Sequence, residues 1–274
     1  MRRTAFTLIE LLVVTATILL LMSLTAVAVS SARSSQRRNQ TRVTISKINE
    51  VLSSQWRTYP SQSISVPKGW KDNGWTLNEY KRCYRITGDM PPNWKDVQVI
   101  VANSSGQFKT RAQKTYRQFW NQKTQTQTPT DQYADGECLF LSVMYGGFAG
   151  CLDCAGLRSG KDFKDVDGDG FQEFVDAWGN PLGFVLWPAG LTTPNGNLFF
   201  SNGDNSSDKL TYELRPLVFS AGPNGAYGID VGDSSNLAKL QDCGLPSANT
   251  SLGSVLNSSD AADNLTNFDA EFRR

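Results

Sequence analysis

The sequence predicts an α+β fold: a long N-terminal α-helix followed by further helices, loops and a few short strands. Three features of the 274-residue chain predict it. An apolar N-terminal segment continues into a polar segment of helical periodicity, further helical patterns follow, and short strand-and-turn patterns occur towards the C-terminus. The length allows one anchor and one or two globular units, and the 39% of hydrophobic residues are enough to build a core.

The first 29 residues carry the strongest pattern. Residues 1–5 are a short basic leader, and residues 6–29 are almost wholly apolar or small with one charge, Glu10. As a helix, about 24 residues extend over about 36 Å, enough to cross a hydrocarbon core about 30 Å thick. Arg2 and Arg3 predict that the leader end faces the cytoplasm.

Two interpretations of this segment compete. In one it is a Sec signal peptide, removed at the small residues Ala26-Val27-Ala28. In the other the whole segment is retained as a transmembrane helix. Glu10 favours retention, because a carboxylate near the start of an apolar segment is costly to insert and a disposable signal has no use for it.

Residues 5–14, Ala-Phe-Thr-Leu-Ile-Glu-Leu-Leu-Val-Val, resemble the processing motif of type IV pilins and type II secretion pseudopilins. The resemblance implies that a prepilin peptidase cuts between Ala5 and Phe6 and methylates the new amino group of Phe6. It also identifies Glu10 as the acidic residue of the mature anchor. We expect Glu10 to act in assembly by pairing with the Phe6 amine of a neighbouring subunit, since each charge alone is costly in lipid. The family usually has Gly before the cut, where this chain has Ala5.

The same resemblance implies a pilin-like fold and a function as structural subunit of a type IV pilus-like or type II secretion pseudopilus filament. The implied partners are other pilin or pseudopilin subunits, the prepilin peptidase, an inner-membrane assembly platform and membrane lipid. The implied location is the bacterial inner membrane, crossed once with the N-terminus in the cytoplasm and the head outside, and then the filament or cell surface. The alternative is a secreted or surface calcium-binding module, such as an adhesin, with a Sec signal peptide.

Composition argues against several other classes of function. The net charge of +1 and the scattered Lys and Arg residues predict no nucleic-acid partner. The chain has no His, which excludes Ser-His-Asp and Cys-His catalytic sites and removes the commonest zinc ligand. We therefore expect that the protein is not an enzyme, although lysine-based or dicarboxylate catalysis stays open.

After residue 29 the chain turns polar without a helix breaker before Pro60, while apolar residues recur at helical spacing. This pattern predicts one helix over residues 6–59. Its half 6–29 is the transmembrane or filament-core part, and its amphipathic half 30–59 packs against an extracytoplasmic head. The head spans residues 60–274, with sheet and loops at 151–274. Because the pseudopilins that the chain resembles usually have shorter heads, we expect that the head is enlarged by an insertion of extra helices and loops at 60–150. Helices are predicted in the insertion at residues 77–86, 108–122 and 134–148, with a loop at 121–131.

Three later segments carry the family resemblance again. Residues 176–181, Asp-Ala-Trp-Gly-Asn-Pro, resemble the turn that starts the pseudopilin sheet, and a strand is predicted to follow over 182–186. Residues 217–225 resemble the later strand and turn, and residues 263–268 resemble the tail. We therefore expect an antiparallel sheet of three or four strands across the second half of the long helix.

An acidic loop at residues 165–176 fits the D-x-D-x-D-G pattern of calcium loops. Gly170 stands at position six, where such loops turn, and Phe171 would offer its carbonyl. Position twelve is Asp176 instead of the usual Glu, so Asp176 either binds the ion or caps the following turn. The predicted Ca²⁺ ligands are Asp165, Asp167, Asp169, Phe171, Glu173 and Asp176. The alternative is a solvated acidic turn.

The resemblance suggests a second Ca²⁺ site in the loop after the later strand. Its candidate ligands are Asn224, Asp230, Asp233 and Asp263.

Five cysteines leave at least one thiol free or paired between chains. Cys151 and Cys154 form a C-x-x-C motif, which favours a local disulfide or structural thiols if the head lies outside the cytoplasm. Half of a zinc site is the alternative, but the other cysteines have no familiar zinc-site spacing.

Mass spectrometry of the mature N-terminus is expected to find N-methylated Phe6 as the first residue, because the processing motif places the cut after Ala5. A chain that starts at Val29 would contradict this expectation and favour the signal peptide.

Overall fold

The computed structural model describes residues 8–59, 77–102, 110–146, 156–157, 161–193, 196–197, 214–232 and 252–268. Within these residues it contains five α-helices and three small antiparallel sheets. The predicted α+β class, with a long N-terminal helix and a small antiparallel sheet, is confirmed.

The first element, α1, is one continuous helix of 51 residues, Leu8–Thr58, as the periodicity predicts. No Gly or Pro interrupts it, and Pro60 follows its end. Its two halves lie in opposite surroundings, because its first buried residue is Thr41. The buried positions then recur every three or four residues along one face: Thr41, Thr44, Ile45, Ile48, Val51, Leu52, Gln55 and Trp56.

Four further helices precede the sheets: α2 (Leu77–Asp89), α3 (Trp94–Ala102), α4 (Arg111–Lys123) and α5 (Ala134–Tyr145). Three of them lie where the sequence predicts helices, and α3 is an addition. The segment before α3, Pro91-Pro92-Asn93, has the composition of a turn, but it serves as a helix start. The Asn93 side chain accepts a hydrogen bond from the Asp96 backbone N–H at 3.0 Å, which is N-terminal capping.

The largest sheet has three strands in the order β3-β6-β7, where β3 is Leu182–Val185, β6 is Leu217–Ser220 and β7 is Leu265–Thr266. Two two-stranded sheets accompany it: β1 (Phe163–Lys164) with β2 (Glu173–Phe174), and β4 (Thr192–Thr193) with β5 (Gly196–Asn197). The second half of α1 contacts β6 and β7. The sheet therefore lies across this half of the helix, as predicted.

Asn267 connects the C-terminal tail to both the sheet and α1. Its side-chain amide donates to Asn49 Oδ1 on α1 at 2.8 Å and to the Pro216 carbonyl at 2.9 Å. Its side-chain oxygen accepts from the Val218 N–H in β6 at 3.0 Å. One residue of the tail thus sets the position of β6 relative to the helix.

The three-stranded sheet is buried on both faces. Leu182, Phe184 and Val218 face the main core, which also contains the buried face of α1 and residues of α2–α5. The alternate positions, Leu217 and Phe219 among them, enter a second, smaller cluster on the other face. Apolar residues therefore occupy both faces of the sheet, so each strand is a continuous apolar run in the sequence.

Asp89 joins α2 to α4 in the core. Its carboxylate accepts hydrogen bonds from the Thr110 hydroxyl at 2.6 Å and from the Arg85 guanidinium. Its backbone carbonyl, at the end of α2, accepts the Tyr116 hydroxyl at 2.6 Å. Burial raises the pKa of the Asp89 carboxyl, and the charge of Arg85 opposes that rise. Tyr116 thus caps a helix end whose carbonyl has no partner within the helix.

Tyr116→Phe is expected to lower the free energy of unfolding by about 1–3 kcal/mol, because it leaves a buried carbonyl without its hydrogen bond. Tyr145→Phe, at a ring that is 37% exposed, is the matched control and should stay within about 0.5 kcal/mol of the parent. Urea unfolding of the full chain in detergent, followed by tryptophan fluorescence, measures both. Equal effects of the two changes would contradict this role of Tyr116.

Candidate functional site

The first half of α1 is an exposed apolar surface. None of its most apolar 18-residue window is buried in the protein, and by length and composition the helix can cross a membrane. Glu10 lies in the first helical turn and is exposed. The predicted cleavage residues Ala5 and Phe6 lie outside the described residues. A helix of this kind at the N-terminus fits a membrane anchor and also a signal sequence.

The acidic loop connects β1 to β2, whose register pairs Lys164 with Glu173. Asp165 organises the loop, since its two oxygens accept the backbone N–H groups of Gly168 at 2.6 Å and Gly170 at 2.9 Å. Both glycines have positive φ, +84° and +93°, which residues with a side chain rarely adopt. The sharp turn predicted at Gly170 is therefore present.

Contacts from the segment between α4 and α5 hold the loop in place. Thr130 donates its backbone N–H to Asp169 at 2.7 Å and its hydroxyl to Asp167 at 2.6 Å. The Lys123 ammonium donates to the Gly170 carbonyl at 2.9 Å. Asp165, Asp167 and Asp169 each offer a carboxylate oxygen, and these oxygens lie within 4.8 Å of one another.

Two buried glutamates face the same loop. Glu137 on α5 is 1% exposed and Glu173 on β2 is 0% exposed. One oxygen of Glu137 accepts the Trp94 indole N–H, and one oxygen of Glu173 accepts the Val166 N–H at 3.0 Å. The other oxygen of each, Oε1, has no hydrogen-bond partner among the described residues. Oxygens of Glu137, Asp167 and Glu173 also lie within 4.8 Å of one another.

Asp167 belongs to both groups, so the five carboxylates form one continuous cluster. We call Glu137, Asp165, Asp167, Asp169 and Glu173 the acidic cluster. Burial raises the pKa of Glu137 to about 9 and that of Glu173 to about 8, and the negative charge of the neighbouring aspartates adds to both rises. Such a group of carboxylates either retains protons or holds a cation, because unscreened like charges at this distance repel.

Asp176 does not join the acidic cluster, contrary to its predicted place at position twelve of a calcium loop. Its Oδ1 accepts three backbone N–H groups, those of Trp178, Gly179 and Asn180, at 2.8–2.9 Å. Its Oδ2 accepts the Ser220 hydroxyl at 2.7 Å. Asp176 therefore caps the turn before β3 and binds that turn to β6, which is the alternative role.

The Phe171 side chain is buried in an aromatic group, with its ring centroid 4.8 Å from that of Trp94. Its N–H donates to Asp169 Oδ1 at 2.9 Å. The Phe171 ring thus anchors the acidic loop in the core, and binding of an ion by the Phe171 carbonyl stays a prediction.

The second predicted site is organised by hydrogen bonds within its own loop. The Asn224 N–H donates to Asp263 at 3.3 Å, and Asp230 accepts the Gly232 N–H at 3.0 Å. Asp233 lies outside the described residues. Calcium binding by these four residues together therefore stays a prediction.

Cys83 and Cys138 are buried, and burial raises the pKa of the Cys138 thiol, which disfavours the reactive thiolate. The C-x-x-C motif, Cys151 and Cys154, and the remaining Cys243 lie outside the described residues.

Glu137 is the site residue that the sequence does not predict. Its only local signal is that this carboxylate stands directly before the apolar run of residues 138–141 in a helix predicted to be buried.

The chain matches no protein-family model, no curated protein and no solved structure.

Asp176→Ala is expected to lower the free energy of unfolding by about 2–4 kcal/mol, because three backbone N–H groups and one hydroxyl lose a charged acceptor. Asp176→Asn should cost less, since its amide oxygen can still accept the three N–H groups. Glu50→Ala, at an exposed carboxylate on α1, is the control and should change stability by about 0.5 kcal/mol or less. Thermal unfolding of the full chain in detergent measures all three. A loss for Asp176→Ala no larger than for Glu50→Ala would contradict the capping role.

Proposed function

We propose that this protein is a structural subunit of a type IV pilus-like or type II secretion pseudopilus filament, assembled through α1. The observation that carries the proposal is the division of one uninterrupted helix into an exposed apolar half and a half buried in the head. An apolar surface of this size is costly in water and calls for lipid or other apolar helices around it. Membrane lipid before assembly and neighbouring subunits after it meet that need in turn.

Glu10 gives the assembly a specific contact in addition to apolar packing. A carboxylate among apolar helices costs several kcal/mol unless a positive charge offsets it. Cleavage after Ala5 by a prepilin peptidase creates such a charge, the methylated amine of Phe6. Because the amine and Glu10 of one chain lie a turn apart along the same helix, the amine of a neighbouring subunit is the better partner. The pair then sets the axial register between subunits.

The layout of the head supports the same function. The three-stranded sheet packs on the amphipathic half of α1, which leaves the apolar half free to associate. No Gly or Pro interrupts α1 where its two halves meet. Association along the apolar half would therefore carry the heads to the outside of a filament at a defined angle. An inner-membrane assembly platform would supply the subunits from the membrane.

A second candidate function is a secreted or surface calcium-binding module with a Sec signal peptide, and the acidic cluster is the observation that favours it. In this case the chain would be cut after Ala28. The helix runs without a break through that position and on to Thr58, which favours retention of the segment.

Glu10→Val is expected to reduce filament yield about tenfold or more, because the loss of a contact of ~1.4 kcal/mol already weakens association tenfold. Membrane insertion should be unchanged, since Val is more easily inserted than Glu. Quantification of the subunit in sheared filaments and in the membrane fraction measures the two effects.

Thr17→Val is the matched control for this change. The Thr17 hydroxyl bonds to the Val14 carbonyl within the same helix, at 2.9 Å, so its loss removes no contact between subunits. Filaments of the Glu10→Val variant at the level of the control would refute the role of Glu10.

A further inference from the structure

We propose that the acidic cluster is a calcium site in which Glu137 of α5 and Glu173 of β2 bind the ion together with Asp167 of the connecting loop. This site differs from a calcium loop that is closed by the residue at position twelve, because it draws a ligand from a distant helix and does not use Asp176. It is independent of the filament function proposed above.

The first argument is that two buried carboxylate oxygens have no hydrogen-bond partner among the described residues. These oxygens are Glu137 Oε1 and Glu173 Oε1. Buried polar atoms in folded proteins are nearly always paired, so an unpaired one points to a missing water, ion or ligand. Here two such atoms belong to carboxylates of one cluster.

The absence of positive charge is the second argument. No Lys or Arg among the described residues forms an ion pair with any of the five carboxylates. The nearby Lys123 ammonium donates to the Gly170 carbonyl. The trio Glu137, Asp167 and Glu173 thus brings three carboxylate oxygens within 4.8 Å of each other, and no described Lys or Arg forms an ion pair with them. A divalent cation between these oxygens would offset both the burial and the mutual repulsion.

The kind of donor selects the kind of ion. All five groups are hard oxygen donors, which suit calcium or magnesium better than copper or zinc. Calcium accepts six to eight oxygens in irregular geometry, whereas magnesium requires a near-ideal octahedron and keeps several waters. Buried glutamates on a helix and a strand, combined with loop aspartates, offer many oxygens at irregular angles. This arrangement favours calcium.

The position of the site gives the ion a structural effect. The first turn of α5 already touches the sheet, where the Asp135 carboxylate accepts the Phe184 N–H at 2.8 Å. Gly136 lies so close to β3 that an added Cβ would be 2.7 Å from the Leu182 carbonyl oxygen. An ion bound by Glu137, Asp167 and Glu173 would link α5 to the β1–β2 hairpin, in addition to these contacts between α5 and β3. Calcium binding should therefore stabilise the head as a whole, since a ligand that binds only the folded state stabilises it.

The test uses the full chain in detergent micelles after treatment with EDTA and removal of the chelator. Calcium chloride is added to about 1 mM, which is roughly the upper end of the dissociation constants of extracellular calcium-binding modules. We expect it to raise the melting temperature by about 2–4 °C or more. Magnesium chloride at the same concentration should have a smaller effect. No calcium shift, or an equal shift with magnesium, would overturn the assignment.

Terbium luminescence locates the ion. The Trp94 indole donates to Glu137, so excitation of tryptophan should sensitise the emission of bound Tb³⁺, and calcium should quench it by competition. Trp94→Phe, which leaves all five carboxylates in place, should lower this emission clearly, although the Trp120 ring, centred 5.4 Å from that of Trp94, can still contribute to it. Emission of unchanged intensity in Trp94→Phe would place the ion elsewhere and refute the site.

Variants separate the proposed ligands from their neighbours. Glu137→Gln and Glu173→Gln keep the size of the side chain, and each should abolish the calcium shift while circular dichroism shows an intact fold. Glu50→Gln, at an exposed carboxylate on α1, and Asp176→Asn should keep the shift. A calcium shift that survives in both glutamate variants, or that is lost only in Asp176→Asn, would refute the proposal.

Discussion

The packing of one face of α1 on the head is the interaction on which the rest of the structure depends. From Ile45 to Trp56 this face lies in the main core, next to strands β6 and β7 and helix α5. The hydrogen bond between Asn49 and Asn267 fixes the C-terminal tail to the same stretch of helix. Because no Gly or Pro provides a hinge in α1, the direction of the exposed half determines the direction in which the head is held.

The head consists of a helical part and a sheet part, which are joined at the start of α5. The Asp135 carboxylate and the close approach of Gly136 hold α5 against β3, and Glu137 faces the hairpin loop from the same turn of helix. The first turn of a helix is a favourable place for acidic groups, since the helix dipole is positive there. A cation at the acidic cluster would strengthen this joint, and the stability of the head would then depend on the concentration of that cation in the surrounding solution.

Two carboxylates that are close in the sequence, Asp176 and Glu173, differ in whether hydrogen-bond donors surround them. Asp176 and Glu173 are three residues apart and equally buried, yet every oxygen of Asp176 is satisfied by N–H and O–H donors. Glu173 has one oxygen to which no described residue donates a hydrogen bond, and it lies beside other carboxylates. The difference arises because the turn before β3 points its N–H groups towards Asp176, whereas α5 brings a second acid towards Glu173. The number of donors around each group separates a structural cap from a candidate ligand.

The spacing of apolar residues by itself predicted the long helix and three of the other four helices that the described residues form, because a period of three to four residues is a local property. The antiparallel sheet was expected from the resemblance of three later segments to the pseudopilin family. The sequence also located the acidic loop and its glycine turn. Only the tertiary structure decided that Asp176 faces β6 and that Glu137 meets a loop about thirty residues further along the chain. Each of these depends on which distant backbone comes near a side chain, and no local pattern records that distance.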